Sequence, residues 1–149
     1  MAGKSAYLES LLLSLIFKAT TSATLASSAG SLSSLYVALH TADPTDSGTQ
    51  TSNEVTTTQY NAYARVTVSR SGAGWVVTGS SVSPAATISF PTTNTTGTGC
   101  TCTHFSIGDA ASGAGNILYS GAISPTLVIP ATTENIVPQL TTATAVTES

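Results

Sequence analysis

Charge is what this chain has least of. Only 7% of its 149 residues are Asp, Glu, Lys or Arg, against roughly 25% in ordinary soluble domains. Its four Lys and Arg residues cannot make the phosphate-neutralising footprint that a polyanion requires, which excludes nucleic acid as an expected partner. An anionic membrane surface is excluded for the same reason. The longest apolar cluster, Leu11-Leu12-Leu13-Ser14-Leu15-Ile16-Phe17, is too short to span a bilayer as a helix. Together with Lys4 it has the outline of a signal peptide, but Glu9 abuts the run and Lys18 closes it, so the expectation is a protein made in the cytoplasm and not exported through a signal peptide.

Cysteine is nearly absent too. Cys100 and Cys102 are two apart, which on a strand puts both thiols on one face near the outer limit of Cα separation for a disulfide. A bridge there is expected to be strained, and free, buried or half-buried thiols are the expectation. No serine sits in a Gly-x-Ser-x-Gly elbow, and Gly72-Ala73-Gly74 and Gly113-Ala114-Gly115 lack the Lys and following helix of a phosphate-binding loop. His40, Asp43, Glu54, His104 and Asp109 are the only residues able to assemble a catalytic or metal site. Their spacing matches no metal-ligand motif, so the two imidazoles are expected to be structural, bonded to backbone or Thr groups. The expectation is a non-enzymatic protein without metal or cofactor.

What is present points to a folded β protein. The chain is 41% apolar with a net charge of −3 and a mean hydropathy of +0.24, the opposite of a disordered composition. Ser and Thr supply roughly a third of the residues, a surface with little charge to keep copies apart. Residues 35–39, Leu-Tyr-Val-Ala-Leu, read as a buried strand that stops at His40-Thr41-Ala42-Asp43-Pro44, where Asp and Pro supply turn chemistry, repeated at Asp46-Ser47-Gly48. About twenty residues then pass with Val55 as the only aliphatic larger than alanine, before strand alternation resumes at Tyr63. Loops this long tend to be functional or disordered.

Upstream, Tyr7, Leu8, Leu11, Leu12, Leu15 and Ile16 recur at helical spacing, predicting a short amphipathic helix over residues 5–17 with Ser5 as N-cap. Residues 18–34 read as a Ser/Thr/Ala-rich connector. Downstream, residues 63–70 and 75–78 are expected to form a hairpin across Ser71-Gly72-Ala73-Gly74, with further strands near 86–90, 101–108, 116–123, 126–129 and 134–146. Pro125, Pro130 and Pro138 cannot donate ladder hydrogen bonds, which assigns the last strands to sheet edges or bulges. The predicted fold is mainly β: a single β-sandwich or jelly-roll-like barrel over residues 35–149, with a long loop at 40–62, preceded by a helix and connector over 1–34.

Several of these pieces resemble a known family. The opening Ala2-Gly3-Lys4-Ser5-Ala6-Tyr7-Leu8-Glu9, then the run from Leu35 to Pro44, Gly48, Glu54-Val55, Tyr63-Ala64-Arg65, Ile88-Ser89-Phe90-Pro91, Thr103-His104-Phe105-Ser106-Ile107 and Asp109-Ala110 resemble, in order and spacing, small virion proteins of tailed bacteriophages, labelled tail fibre or capsid cement proteins. The resemblance extends to about Ala122. One departure is local: where the family tends to carry Trp-Gly-Thr, this chain reads Gly97-Thr98-Gly99-Cys100-Thr101-Cys102.

The resemblance implies a virion structural protein. A capsid cement protein that binds across seams of the major capsid protein and stabilises the head is favoured over a tail fibre or glycan-binding tip, because a compact chain leaves no room for a long shaft. The implied partners are the major capsid protein and copies of itself, as a dimer or trimer on the capsid surface. Two places are expected to make these contacts. One is the helix, through Tyr7, Leu8, Leu11, Leu12 and Leu15, whose apolar stripe has to rest on its own sheet or on a neighbour. The other is the loop, through Asp43, Pro44, Asp46, Glu54, Tyr60 and Tyr63, with residues 49–60 suited to pairing along another chain's strand edge.

Overall fold

The computed structural model describes residues 6–20, 32–93, 97–131, 135–143 and 146–147. Among these residues one helix, α1 (Ala6–Lys18), precedes nine strands: β1 (Ser34–His40), β2 (Val66–Ser69), β3 (Trp75–Thr78), β4 (Ser81–Pro84), β5 (Ile88–Ser89), β6 (Cys100–Gly108), β7 (Ile117–Ile129), β8 (Gln139–Leu140) and β9 (Val146–Thr147). The protein is mainly β, with one short N-terminal helix and antiparallel ladders. The sheets run β2-β1-β6-β7, β3-β4-β9 and β5-β8. Among the described residues no helix is long and apolar enough to cross a membrane.

The chain divides into two compact units. Unit 1 comprises Met1–Leu35, Val68–Ile88 and Leu140–Ser149, and unit 2 comprises Tyr36–Thr67 and Ser89–Gln139. The division does not fall at residue 34: the helical segment shares its unit with β3 and β4, and the chain crosses between units within β1, β2, β5 and β8.

In unit 1, α1 is apolar over most of its circumference, with Glu9, Ser10, Ser14 and Lys18 as its polar residues, so the sequence pattern alone does not say which side is buried. Leu13 and Phe17, one turn apart, are the residues with no exposure, and the Phe17 ring meets Trp75 of β3 edge-on at 4.8 Å between centroids. The predicted stripe is therefore turned: Leu11, Leu12, Leu15 and Ile16 are only half-buried and Tyr7 is 69% exposed. Ser5 lies outside the described residues, as does the side chain of Leu8. Arg70 holds the far end of the helix, donating to the carbonyls of Leu15 (2.6 Å) and Ile16 and to that of Leu32 (2.9 Å), where last-turn carbonyls lack intrahelical partners and a cation complements the helix dipole.

Four strand assignments change. The hairpin expected across Ser71-Gly72-Ala73-Gly74 does not form: β2 pairs in the sheet of β1, whereas β3 pairs with β4 through the turn at Gly79-Ser80. Gly79 has φ +60°, as such tight turns require. β2 is also shorter than the alternation predicted, because Tyr63 and Arg65 are drawn into side-chain hydrogen bonds outside any strand. Strands expected separately at 116–123 and 126–129 are one edge strand, β7, that bulges around Pro125: Cys102 pairs with Leu127 but His104 with Ala122, so two steps along β6 match five along β7. Proline's missing donor is accommodated there, as an edge position allows. The span predicted as a strand at 134–146 holds β8 and β9, which pair with different strands, and its residues 134 and 144–145 lie outside the described ones.

In unit 2, β1 is buried on both faces. Val37 and Leu39 share one face with Ile107 and Phe105 of β6, and Ala38 and His40 share the other with Ser106 and His104. A strand covered on both sides needs a second layer over each face, and part of that cover comes from the long loop.

Candidate functional site

Residues 41–62 fold onto the sheet of unit 2. His40, at the end of β1, has no exposure. Its Nδ1–H donates to the Ser52 carbonyl at 2.8 Å, and Nε2 accepts from the Ser106 hydroxyl at 2.7 Å, which fixes a neutral tautomer with both nitrogens committed. Burial lowers the imidazole pKa below its ordinary 6.5, against the opposing pull of the Ser52 carbonyl and the Glu54 carboxylate. His104 is half-buried; its Nδ1–H donates to the Thr103 hydroxyl at 2.9 Å, which in turn donates to the Thr41 carbonyl at 3.1 Å. The two histidines are neighbours in the ladder. Among the described residues no three His, Cys, Asp or Glu side chains group as metal ligands would.

Glu54, Tyr63 and Arg65 come together as one network. Arg65 donates through Nε to Glu54 Oε1 (2.7 Å) and through Nη2 to Oε2 (2.8 Å), a two-pronged match of guanidinium to carboxylate. Its remaining donors reach the Ala110 carbonyl (2.8 Å) and the Gly113 carbonyl (2.7 Å) in the turn between β6 and β7. Tyr63 donates to Glu54 Oε1 (2.9 Å) and accepts the Leu39 N–H (3.1 Å). Burial, followed by the adjacent Glu54 charge, drives the Tyr63 phenol pKa upward. The Arg65–Glu54 pair is nearly closed to solvent, with side-chain exposures of 3% and 14%. The sequence offered Glu54 and Tyr63 as contact residues but did not single out Arg65 as their common partner, since 11 residues separate Arg65 from Glu54.

Gln50 is a second internal anchor that sequence reasoning passed over. It is fully buried; its Nε2 donates to the Tyr36 carbonyl (3.4 Å), its Oε1 accepts the Ala110 N–H (3.0 Å), and its own N–H donates to Gly115 (2.9 Å). A Cβ at Gly108 would lie 2.2 Å from Gln50 Cδ and 2.5 Å from the Asn116 carbonyl oxygen. The glycine is the signal that sequence alone showed without its reason.

The other expected contact residues separate into inside and outside. Pro44 and Tyr60 are buried, and burial pushes the Tyr60 phenol pKa up to about 12. Asp43 and Asp46 are exposed; Asp43 Oδ1 accepts the Thr45 N–H at 2.8 Å. The backbone of residues 49–60 is largely used at home: Ser52, Val55, Gln59 and Tyr60 N–H groups donate to the carbonyls of Thr49, Leu39, Thr56 and Thr56, and Thr58 and Gln59 carbonyls accept from Thr98 and Gly99. A segment bonded in this way has few free groups for another chain's strand edge. What the loop exposes are residues 42–43, 45–47, 51, 53, 56–58 and 61.

Cys100 and Cys102 are free thiols on one face of β6, the first half-buried and the second buried. Their hydrogen bond to one another lowers the pKa of Cys100 and raises that of Cys102.

A family model described as podophage GP4 fiber I protein gp80 matches residues 3–141. The chain belongs to this family. It is a structural protein of a phage virion, and the hydrogen bonds that hold His40, Glu54 and Arg65 agree with a framework role for these three side chains. No curated protein matches it.

Proposed function

We propose that the protein is a non-enzymatic fibre subunit, assembled with copies of itself and with neighbouring virion proteins. The family match over nearly the whole chain carries this reading, because its description names a fiber. The contact surfaces proposed are those left outward. On α1 they are Tyr7, Leu11 and Leu15, spaced one turn apart on the side opposite Leu13 and Phe17. On the loop they are the exposed residues Asp43 and Asp46. A charge-poor surface supports self-association, since few like charges oppose it.

A capsid cement protein bound to the major capsid protein is the second reading. It is favoured by build: among the described residues the only helix is 13 residues long, and no element repeats as a shaft would. In the fibre reading such a chain is a compact node of the fibre and other chains make its length. Labelling virions with gold-conjugated Fab fragments against this protein, viewed in negative stain, separates the two. Gold confined to the tail or its appendages is the expected result, and gold spread over the head lattice would replace the fibre by cement.

A further inference from the structure

The cysteine pair is the one chemical feature that the framework role leaves unused. The two thiols share a face of β6 with only Thr101, exposed on the opposite face, between them. Side chains at i and i+2 of a regular strand are held too far apart for easy closure. Here the strand is not regularly held. Cys100 opens β6 directly after Gly99, whose φ is +76°. On the other side of the pair the ladder with β7 breaks, since the register shift falls between Cys102 and His104. The segment from Cys100 to Cys102 is therefore a three-residue ladder against Ile129, Val128 and Leu127, uncoupled by the bulge from the long ladder beyond. It can pucker without dragging the core strands along.

We propose that Cys100 and Cys102 form a redox pair that closes to an intrachain disulfide on meeting a small-molecule disulfide such as oxidised glutathione. Cys100, the more accessible thiol, attacks first: its sulfur bonds to one glutathione sulfur, the glutathione S–S bond breaks, and one reduced glutathione leaves. Cys102, buried and adjacent, then attacks the Cys100 sulfur of the mixed disulfide and releases the second glutathione. The sum is two protein thiols and one oxidised glutathione giving one protein disulfide and two reduced glutathiones. The lowered Cys100 pKa agrees with its role as the entering thiol. A pair made in a reducing cytoplasm would thus remain open until the chain leaves it. The proposal is independent of whether the chain sits on tail or head.

The test is intact-mass and tandem spectrometry of reduced, folded full-length protein after oxidised glutathione treatment and alkylation of remaining thiols. The expected product is monomeric, lighter by two hydrogens, free of alkyl label, with a Cys100–Cys102 linked peptide, and dithiothreitol restores both labels. Cys100→Ser should take up no glutathione under the same conditions, because only the buried thiol remains. Cys102→Ser should stop at a stable glutathione adduct on Cys100. A wild-type protein that keeps two alkylatable thiols, retains a glutathione adduct, or cross-links between copies would overturn the proposal. So would a folded Cys100→Ser chain that reacts as fast as wild type.

Discussion

At the scale of single residues, the informative side chains are those whose bonds leave no substitute. Arg65 serves four acceptor contacts with one planar fork, and a lysine ammonium cannot span them. Arg65→Lys should cost about 2–4 kcal/mol in urea unfolding, as expected for damaging a nearly buried, hydrogen-bonded charge pair; a loss within error would mean the pair is solvated in solution. At Gly108 an added methyl meets Gln50 and backbone together, so Gly108→Ala should destabilise by about 1–3 kcal/mol, read by thermal melting. His40 makes stability depend on pH. Its folded pKa lies below 6.5, so below pH 6.5 the unfolded chain takes up a proton that the folded chain resists. The contribution of neutral His40 is present in full above about 6.5 and is lost as pH falls through the folded value. Unfolding free energies at about pH 7.5 and 5.5 should differ accordingly, and His40→Gln should flatten the difference. An unchanged slope in the variant would assign the pH dependence elsewhere.

At the scale of elements, the helix and the long loop both turn inward more than their sequences announce. Leu13 and Phe17 have no exposure, so Leu13→Ala should cost about 2–5 kcal/mol as a cavity in unit 1, whereas Leu11→Ala and Leu15→Ala should cost less and act on assembly. Circular dichroism melts against sedimentation of the same variants separate these effects. If Leu11→Ala destabilises as much as Leu13→Ala, the outward side assigned to α1 is wrong. For the loop, the N–H groups of Gln50, Val55 and Tyr60 are bonded to Gly115, Leu39 and Thr56. They should therefore exchange slowly in the free protein, by amide hydrogen exchange, with no partner needed to order them. Fast exchange there would mean that these bonds do not hold the loop in the free protein. The loop's length follows from what it does: it must run over one face of β1 and β6, bury His40, Gln50 and Val55, and return to Tyr63.

At the scale of the whole molecule, a net charge of −3 from only eleven formal charges means that the assembly proposed above would rest on apolar and hydrogen-bonding contact. Oligomers seen by sedimentation should persist between roughly 50 and 500 mM salt, a range over which exposed ion pairs are strongly screened; dissociation across it would point to the exposed aspartates of the loop as the main contact. Composition and alternation by themselves determined that this is a mainly β protein with one N-terminal helix, because buried strands need apolar β-branched runs and a helix needs its period whatever lies around it. Only the tertiary structure decided which side of a mostly apolar helix is buried, because its apolar residues cover more than one side and burial depends on what packs against them. It also decided that β3 pairs forward with β4 and not back with β2, a choice between two turns that both carry glycine. And it decided that Glu54, Tyr63 and Gln50 are internal struts: their partners Arg65, Leu39 and Ala110 are separated from them by 11, 24 and 60 residues, Tyr63 being the member bonded to Leu39, and a polar side chain shows whether it is spent on the fold only once those partners are brought within hydrogen-bonding distance.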